Sequence, residues 1–181
     1  ASAVQEVVVG MAPVPAFSIE NSNAGCAPKT VLFANTTTGT YDSLRWSFPG
    51  GIPAASTAET PAVEYEQPGT YDVELTIYST FGPLLVEQED IVTVYPRPNP
   101  GFTFSVDGLT VTFNNTSSQA ENFVWNFDDG NTSTEENPVY TYAEPGFYEV
   151  TLNAIFGNCA RSVTESLFIQ PNSSRTTEVP A

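Results

Sequence analysis

The sequence contains no histidine, a single methionine, two cysteines and only five basic residues among 181. Without histidine it lacks the usual base of Ser-His and Cys-His nucleophilic sites and the usual zinc ligand sets. The five cations, Lys29, Arg45, Arg97, Arg161 and Arg175, are scattered, and 21 acidic residues leave a formal net charge of −16. Nucleic-acid binding needs clustered Lys and Arg to replace counterions, so this composition argues against it. An anionic membrane surface is disfavoured for the same reason. No apolar run approaches the ~20 residues that span a bilayer, and no Gly-rich phosphate loop occurs. What the chain does have is 40% apolar residues, 12 Phe and 8 Tyr among them, which is the composition of a folded chain.

It also repeats itself. Trp46-Ser47-Phe48, then Pro61, Tyr65, Pro68-Gly69, Tyr71, Val73 and Leu75, returns as Trp125-Asn126-Phe127, then Pro138, Tyr142, Pro145-Gly146, Tyr148, Val150 and Leu152. The tryptophans lie 79 residues apart and the Pro-Gly pairs 77. Two copies of one unit, differing by a two-residue deletion, are therefore expected.

Period-two alternation dominates and no helical stripe is found. In Tyr71-Asp72-Val73-Glu74-Leu75-Thr76-Ile77 the apolar residues fall on one face, the pattern of a half-buried antiparallel strand, and residues 148–154 repeat it. Further strands are expected over 15–20, 30–36, 43–48, 60–65 and 84–94, then 101–106, 109–115, 121–127, 137–142 and 160–169. Short strands between Gly, Pro and Asn turns predict two β-sandwiches. The expected divisions are an N-terminal arm over 1–13, a domain over 14–95, a connector over 96–100, a second domain over 101–170 and a polar tail over 171–181. Alternate prolines in Pro96-Arg97-Pro98-Asn99-Pro100 favour an extended connector.

The repeated residues resemble the PKD family, immunoglobulin-like β-sandwiches of bacterial cell surfaces and secreted proteins. Repeat two carries the pattern in Trp125-Asn126-Phe127-Asp128-Asp129-Gly130, Asn137-Pro138 with Tyr142, and Glu144-Pro145-Gly146 with Tyr148 and Val150; repeat one departs at Phe48-Pro49-Gly50-Gly51. The resemblance implies an all-β fold of two tandem antiparallel sandwiches and a spacer, adhesive or assembly module without chemistry of its own. No enzymatic activity and no cofactor are expected.

Asp128 and Asp129 are the residues most suggestive of a site. Adjacent strand residues point to opposite faces, and Asp-Asp-Gly-Asn is what a tight turn requires. A turn is the expectation, with a calcium site or a carboxylate pair for acid–base work as the alternatives. Trp46 and Trp125, at matching positions on alternating strands, are expected in the cores rather than stacked on sugars.

Cys26 and Cys159 have no counterparts in the opposite repeats. If strands alternate in direction, each falls at the end of its domain that faces the other domain. A disulfide between them is expected, which requires an oxidising compartment. A bridge between neighbouring chains and two buried free thiols are the alternatives.

Val4-Gln5-Glu6-Val7-Val8-Val9 is a β-prone segment beyond what the domain pattern needs. Such a strand can add to the sheet edge of a neighbour, and a head-to-tail contact that does not close generates a fibre. Asn35, Asn114, Asn115, Asn131 and Asn172 begin Asn-x-Ser/Thr acceptors, and Asp42-Ser43-Leu44 resembles the Asp-Ser/Thr-aliphatic motif of bacterial O-glycosylation, with Ser43 as acceptor. The expected function is an extracellular structural subunit, secreted after signal-peptide removal, that self-assembles head to tail into a surface filament. The alternative is a spacer or a glycan- or protein-binding module of a larger surface protein or secreted hydrolase.

Overall fold

The computed structural model describes residues 10–171. The chain divides between Tyr95 and Pro96 into two units, and the described residues contain strands and turns but no helix. Unit 1 comprises β1 (Phe17–Ile19), β2 (Ala24–Cys26), β3 (Lys29–Asn35), β4 (Ser43–Ser47), β5 (Ala55–Ser56), β6 (Ala62–Tyr65), β7 (Gly69–Ser79) and β8 (Gly82–Tyr95). Its sheets run β1-β3-β6 and β2-β8-β7-β4-β5. Unit 2 comprises β9 (Phe102–Asp107), β10 (Thr110–Asn115), β11 (Asn122–Asn126), β12 (Thr132–Ser133), β13 (Val139–Thr141), β14 (Gly146–Phe156) and β15 (Cys159–Ile169), in sheets β13-β10-β9 and β12-β11-β14-β15. Each unit is an immunoglobulin-like β-sandwich.

Alternation sets which face is buried. Val73, Leu75 and Ile77 of β7 are fully buried between flanking Asp72, Glu74 and Thr76, as are Val150, Leu152 and Ala154 of β14. Both tryptophans lie in the cores at 0% exposure. Trp46 stacks on Phe48 at 5.5 Å, and Phe113 bridges Trp125 and Phe127 at 5.2 and 5.6 Å. Each buried indole N–H finds an acceptor, Ala58 O for Trp46 and Glu135 O for Trp125, both at 2.9 Å. Burial of aromatic area in contacts of this geometry is the main cohesive term of such small sandwiches.

The two units differ at their starts. After β1 the chain crosses to the other sheet as β2, which pairs parallel with the end of β8 through Ala24↔Thr93, Gly25↔Val94 and Cys26↔Tyr95. Ala-Gly-Cys has no apolar alternation, so β2 escapes a reading by pattern. In unit 2, β9 instead stays with β10 in a hairpin running from Phe102↔Asn115 to Asp107↔Thr110. Asn99, in the stretch expected as an extended connector, pairs with Ser118 of unit 2 in both directions, each bond 3.0 Å.

Candidate functional site

The turn after β11 carries the acidic pair. Asp128 takes positive φ (66°) and Gly130 follows at 91°, the left-handed conformations that Asp tolerates and Gly adopts without steric cost. The two carboxylates diverge. Asp128 Oδ2 accepts the Glu149 backbone N–H of β14 at 3.0 Å, while its own N–H donates to Asn126 Oδ1 at 2.9 Å. Asp129 Oδ1 accepts from the Asn131 backbone N–H at 3.0 Å and from its side chain at 3.2 Å, and Oδ2 accepts the Tyr140 hydroxyl of β13. One carboxylate thus ties the turn to each sheet. Partial burial pushes the Asp129 carboxyl up, but the hydrogen bonds from Tyr140 and Asn131 outweigh it and hold the group below the ordinary carboxylate range. Tyr140 is raised by burial and by its bond to Asp129, and its ring lies 4.0 Å from Phe127, nearly parallel.

This arrangement makes a clamp. Among the described residues no group of three or more His, Cys, Asp or Glu side chains converges as a metal site, and the two carboxylates face different partners instead of one reacting centre. Unit 1, whose Phe48-Pro49-Gly50-Gly51 turn lacks carboxylates, docks the same loop through backbone bonds, Ile52 N to Glu64 O at 2.8 Å and Glu64 N to Ile52 O at 2.9 Å.

Neither cysteine is a free thiol; both Cys26 and Cys159 are disulfide-bonded. Within unit 1, Cys26 sits opposite Tyr95, the last residue before the division of the chain. Within unit 2, Cys159 opens β15 opposite Phe156, next to the β14–β15 turn.

A family model described as "PKD domain" matches residues 96–167. The second unit is a PKD domain. Over 72 residues the chain is 36% identical to the pre-pro-metalloprotease PrtV of two Vibrio cholerae O1 strains; the match covers 38% of this chain and 8% of those proteins. Solved relatives include the PKD1 domain of V. cholerae PrtV, at 30% identity, 41% of this chain, 98% of that chain and a TM-score of 0.40. The PKD1 domain of Vibrio anguillarum Epp matches at 25% identity, 41% of this chain, 95% of that chain and a TM-score of 0.40.

The PKD unit differs from unit 1 on its outer sheet face. Phe147 (81% exposed) and Phe168 (53%) lie 4.6 Å apart across β14 and β15 with their rings tilted by 36°, where unit 1 has Thr70 opposite Thr93. This aromatic pair was not foreseen; a Thr-to-Phe change at two matched repeat positions was the available signal. The glycosylation acceptors are placed unequally. Asn114 is exposed on β10 and Ser43 on β4. The Asn35 amide donates to Tyr41 Oη at 2.9 Å and Glu59 Oε2 at 2.7 Å, Asn115 Oδ1 accepts from Ser117 N at 2.8 Å, and the Asn131 amide donates to Tyr140 Oη at 2.8 Å. Residues 4–9, expected as an assembly strand, and Asn172 lie outside the described residues.

Proposed function

We propose that this chain is a non-enzymatic extracellular module that spaces or anchors a larger surface or secreted protein. The observation that carries this reading is the match of the PKD unit to a segment that makes up 8% of a pre-pro-metalloprotease. The closed, aromatic-filled cores and a turn whose carboxylates are committed to structure support it. The assay is incubation of the purified chain with protease and glycosidase substrates and with a panel of polysaccharides and surface proteins. Retention on a surface without turnover supports the reading; turnover that is lost when Asp128 and Asp129 both become Asn refutes it.

We further propose that Cys26 and Cys159 are joined to each other within one chain, since the sequence holds two cysteines and neither is free. A disulfide of this kind places the protein in an oxidising compartment outside the cytoplasm. A cross-linked peptide containing both residues, from a monomer on a non-reducing gel, is the expected product.

A second reading, head-to-tail self-association through residues 4–9, is favoured by one feature. Among the described residues, β15 has no strand on its outer side. Sedimentation of the full chain beside a variant lacking residues 1–9 tests it: concentration-dependent assembly that is lost on truncation supports the reading, and a monomer in both samples refutes it.

A further inference from the structure

The two units treat the same sheet edge differently. In unit 1 the outer edge of β8 is covered: β2 pairs with residues 93–95, Thr93 N donates to Asn23 O at 2.9 Å, Ala27 N donates to Tyr95 O at 3.0 Å, and the Asn23 amide reaches Ile91 O at 2.8 Å. The register places Phe168 where Thr93 stands and Ile169 where Val94 stands, because Thr70↔Thr93 and Gly69↔Val94 correspond to Phe147↔Phe168 and Gly146↔Ile169. Among the described residues unit 2 has no strand equivalent to β2, because β9 remains in its hairpin with β10. The backbone groups that β2 satisfies in unit 1 therefore face outward in unit 2 without a strand partner among the described residues. An edge with unpaired N–H and C=O groups is a template for another strand.

That edge is guarded along only part of its length. Arg161 and Glu165 pair with Ala154 and Val150, residues of the inward-facing row, and so stand on the same side of the sheet while remaining exposed. Inward-pointing charges of this kind discourage pairing. Beyond Glu165 the sequence reads Ser-Leu-Phe-Ile, with no charge, and the exposed Phe147–Phe168 pair lies beside it.

We propose that the outer edge of β15 over residues 166–170 is the acceptor for residues 4–9 of a second copy of this chain. The proposal rests on the self-association reading above and names its site. The occupant follows from the chain itself. Six residues with four valines and no proline or glycine have high strand propensity, which matches an edge short of one strand. Paired as a strand, the segment would carry Val7 and Val9 on one face and Val8 on the other. Position in each unit agrees. Gly10, where the described chain begins, lies beside Phe81 in the β7–β8 turn, at the end of unit 1 remote from Tyr95. Residues 168–169 lie at the end of unit 2 remote from the β14–β15 turn and from the bridge of Asn99 to the β10–β11 loop.

The test is a complementation in the full chain. Val7→Asp disables the donor and Phe168→Lys charges the acceptor edge at a half-exposed side chain that the core does not need. Sedimentation velocity is expected to show assembly of the unaltered chain, monomers of each variant alone, and dimers with nothing larger when the variants are mixed. Unchanged amide protection of β14, read by hydrogen exchange, establishes that Phe168→Lys is folded. Assembly of Phe168→Lys within tenfold of the unaltered concentration dependence overturns the β15 site while leaving self-association standing. A monomeric unaltered chain at all concentrations overturns both. Assembly that survives Val7→Asp assigns the edge to another occupant and overturns the proposal.

Discussion

Tyr65 and Tyr142 occupy the same place in the two units, and the structure gives them opposite energetics. Both are buried, and each packs on a second tyrosine, Tyr71 at 4.5 Å and Tyr148 at 4.0 Å. The Tyr142 hydroxyl donates to Phe127 O at 3.2 Å, whereas the Tyr65 hydroxyl has no partner. An unpaired buried hydroxyl costs about 1–3 kcal/mol, while a satisfied one contributes about 0.5–1.5 kcal/mol net. Removing the oxygen should therefore stabilise unit 1 in Tyr65→Phe, or leave it unchanged, and destabilise unit 2 in Tyr142→Phe by about 1 kcal/mol. That cost corresponds to about 4–8 °C for a domain of this size. Hydrogen exchange read by mass spectrometry on peptides from each unit, across a urea series, separates the two. Burial also pushes the Tyr65 phenol up to about 12. A group whose folded value is raised contributes stability that is whole below its unfolded value and is lost as pH rises through the folded one. Unit 1 should thus weaken between about pH 10 and 12, and Tyr65→Phe should lessen that weakening. A Tyr65→Phe variant that loses as much stability as Tyr142→Phe refutes the reasoning.

The Asp129 clamp makes an acid prediction. Its folded value is depressed, so its stabilisation is present above the unfolded carboxylate value and disappears as pH falls through the folded one. Asp129→Asn should flatten the acid limb of unit 2 in pH-dependent melts and leave unit 1 unchanged. Gly50 sits at φ 76°, and a Cβ there would lie 2.5 Å from Tyr71 Cε1. Gly50→Ala should cost about 1–3 kcal/mol in unit 1 by denaturant titration, combining backbone strain and overpacking. Alkylation under denaturing conditions without reductant should label neither cysteine, and mass should rise by two adducts only after reduction.

The repeat exposed the fold because its residues are the ones that the core dictates: Trp46 and Trp125, Tyr65 and Tyr142, and the alternating Val-x-Leu of β7 and β14. Strands β5 and β12 have two residues each, too few for a period to register, and Ala24-Gly25-Cys26 carries no alternation although its pairing covers a sheet edge. Asp128 and Asp129 were expected as turn residues, yet their division between β14 and Tyr140 could not be read, since it depends on which strands come together at that end of the sandwich. The open edge of β15 was hidden for a related reason. Residues 159–169 look like any half-exposed strand, and only the absence of a β2 equivalent among the described residues of unit 2 distinguishes them.

Amide exchange of the full chain, followed residue by residue as its concentration rises, tests the central claim most directly. Thr93 and Tyr95, covered by β2, should be protected at every concentration. Phe168 and Gln170 should exchange fast when dilute and become protected as copies meet. Equal protection of all four amides at every concentration, or fast exchange at Phe168 in concentrated solution, would contradict an open β15 edge that takes a strand from another chain.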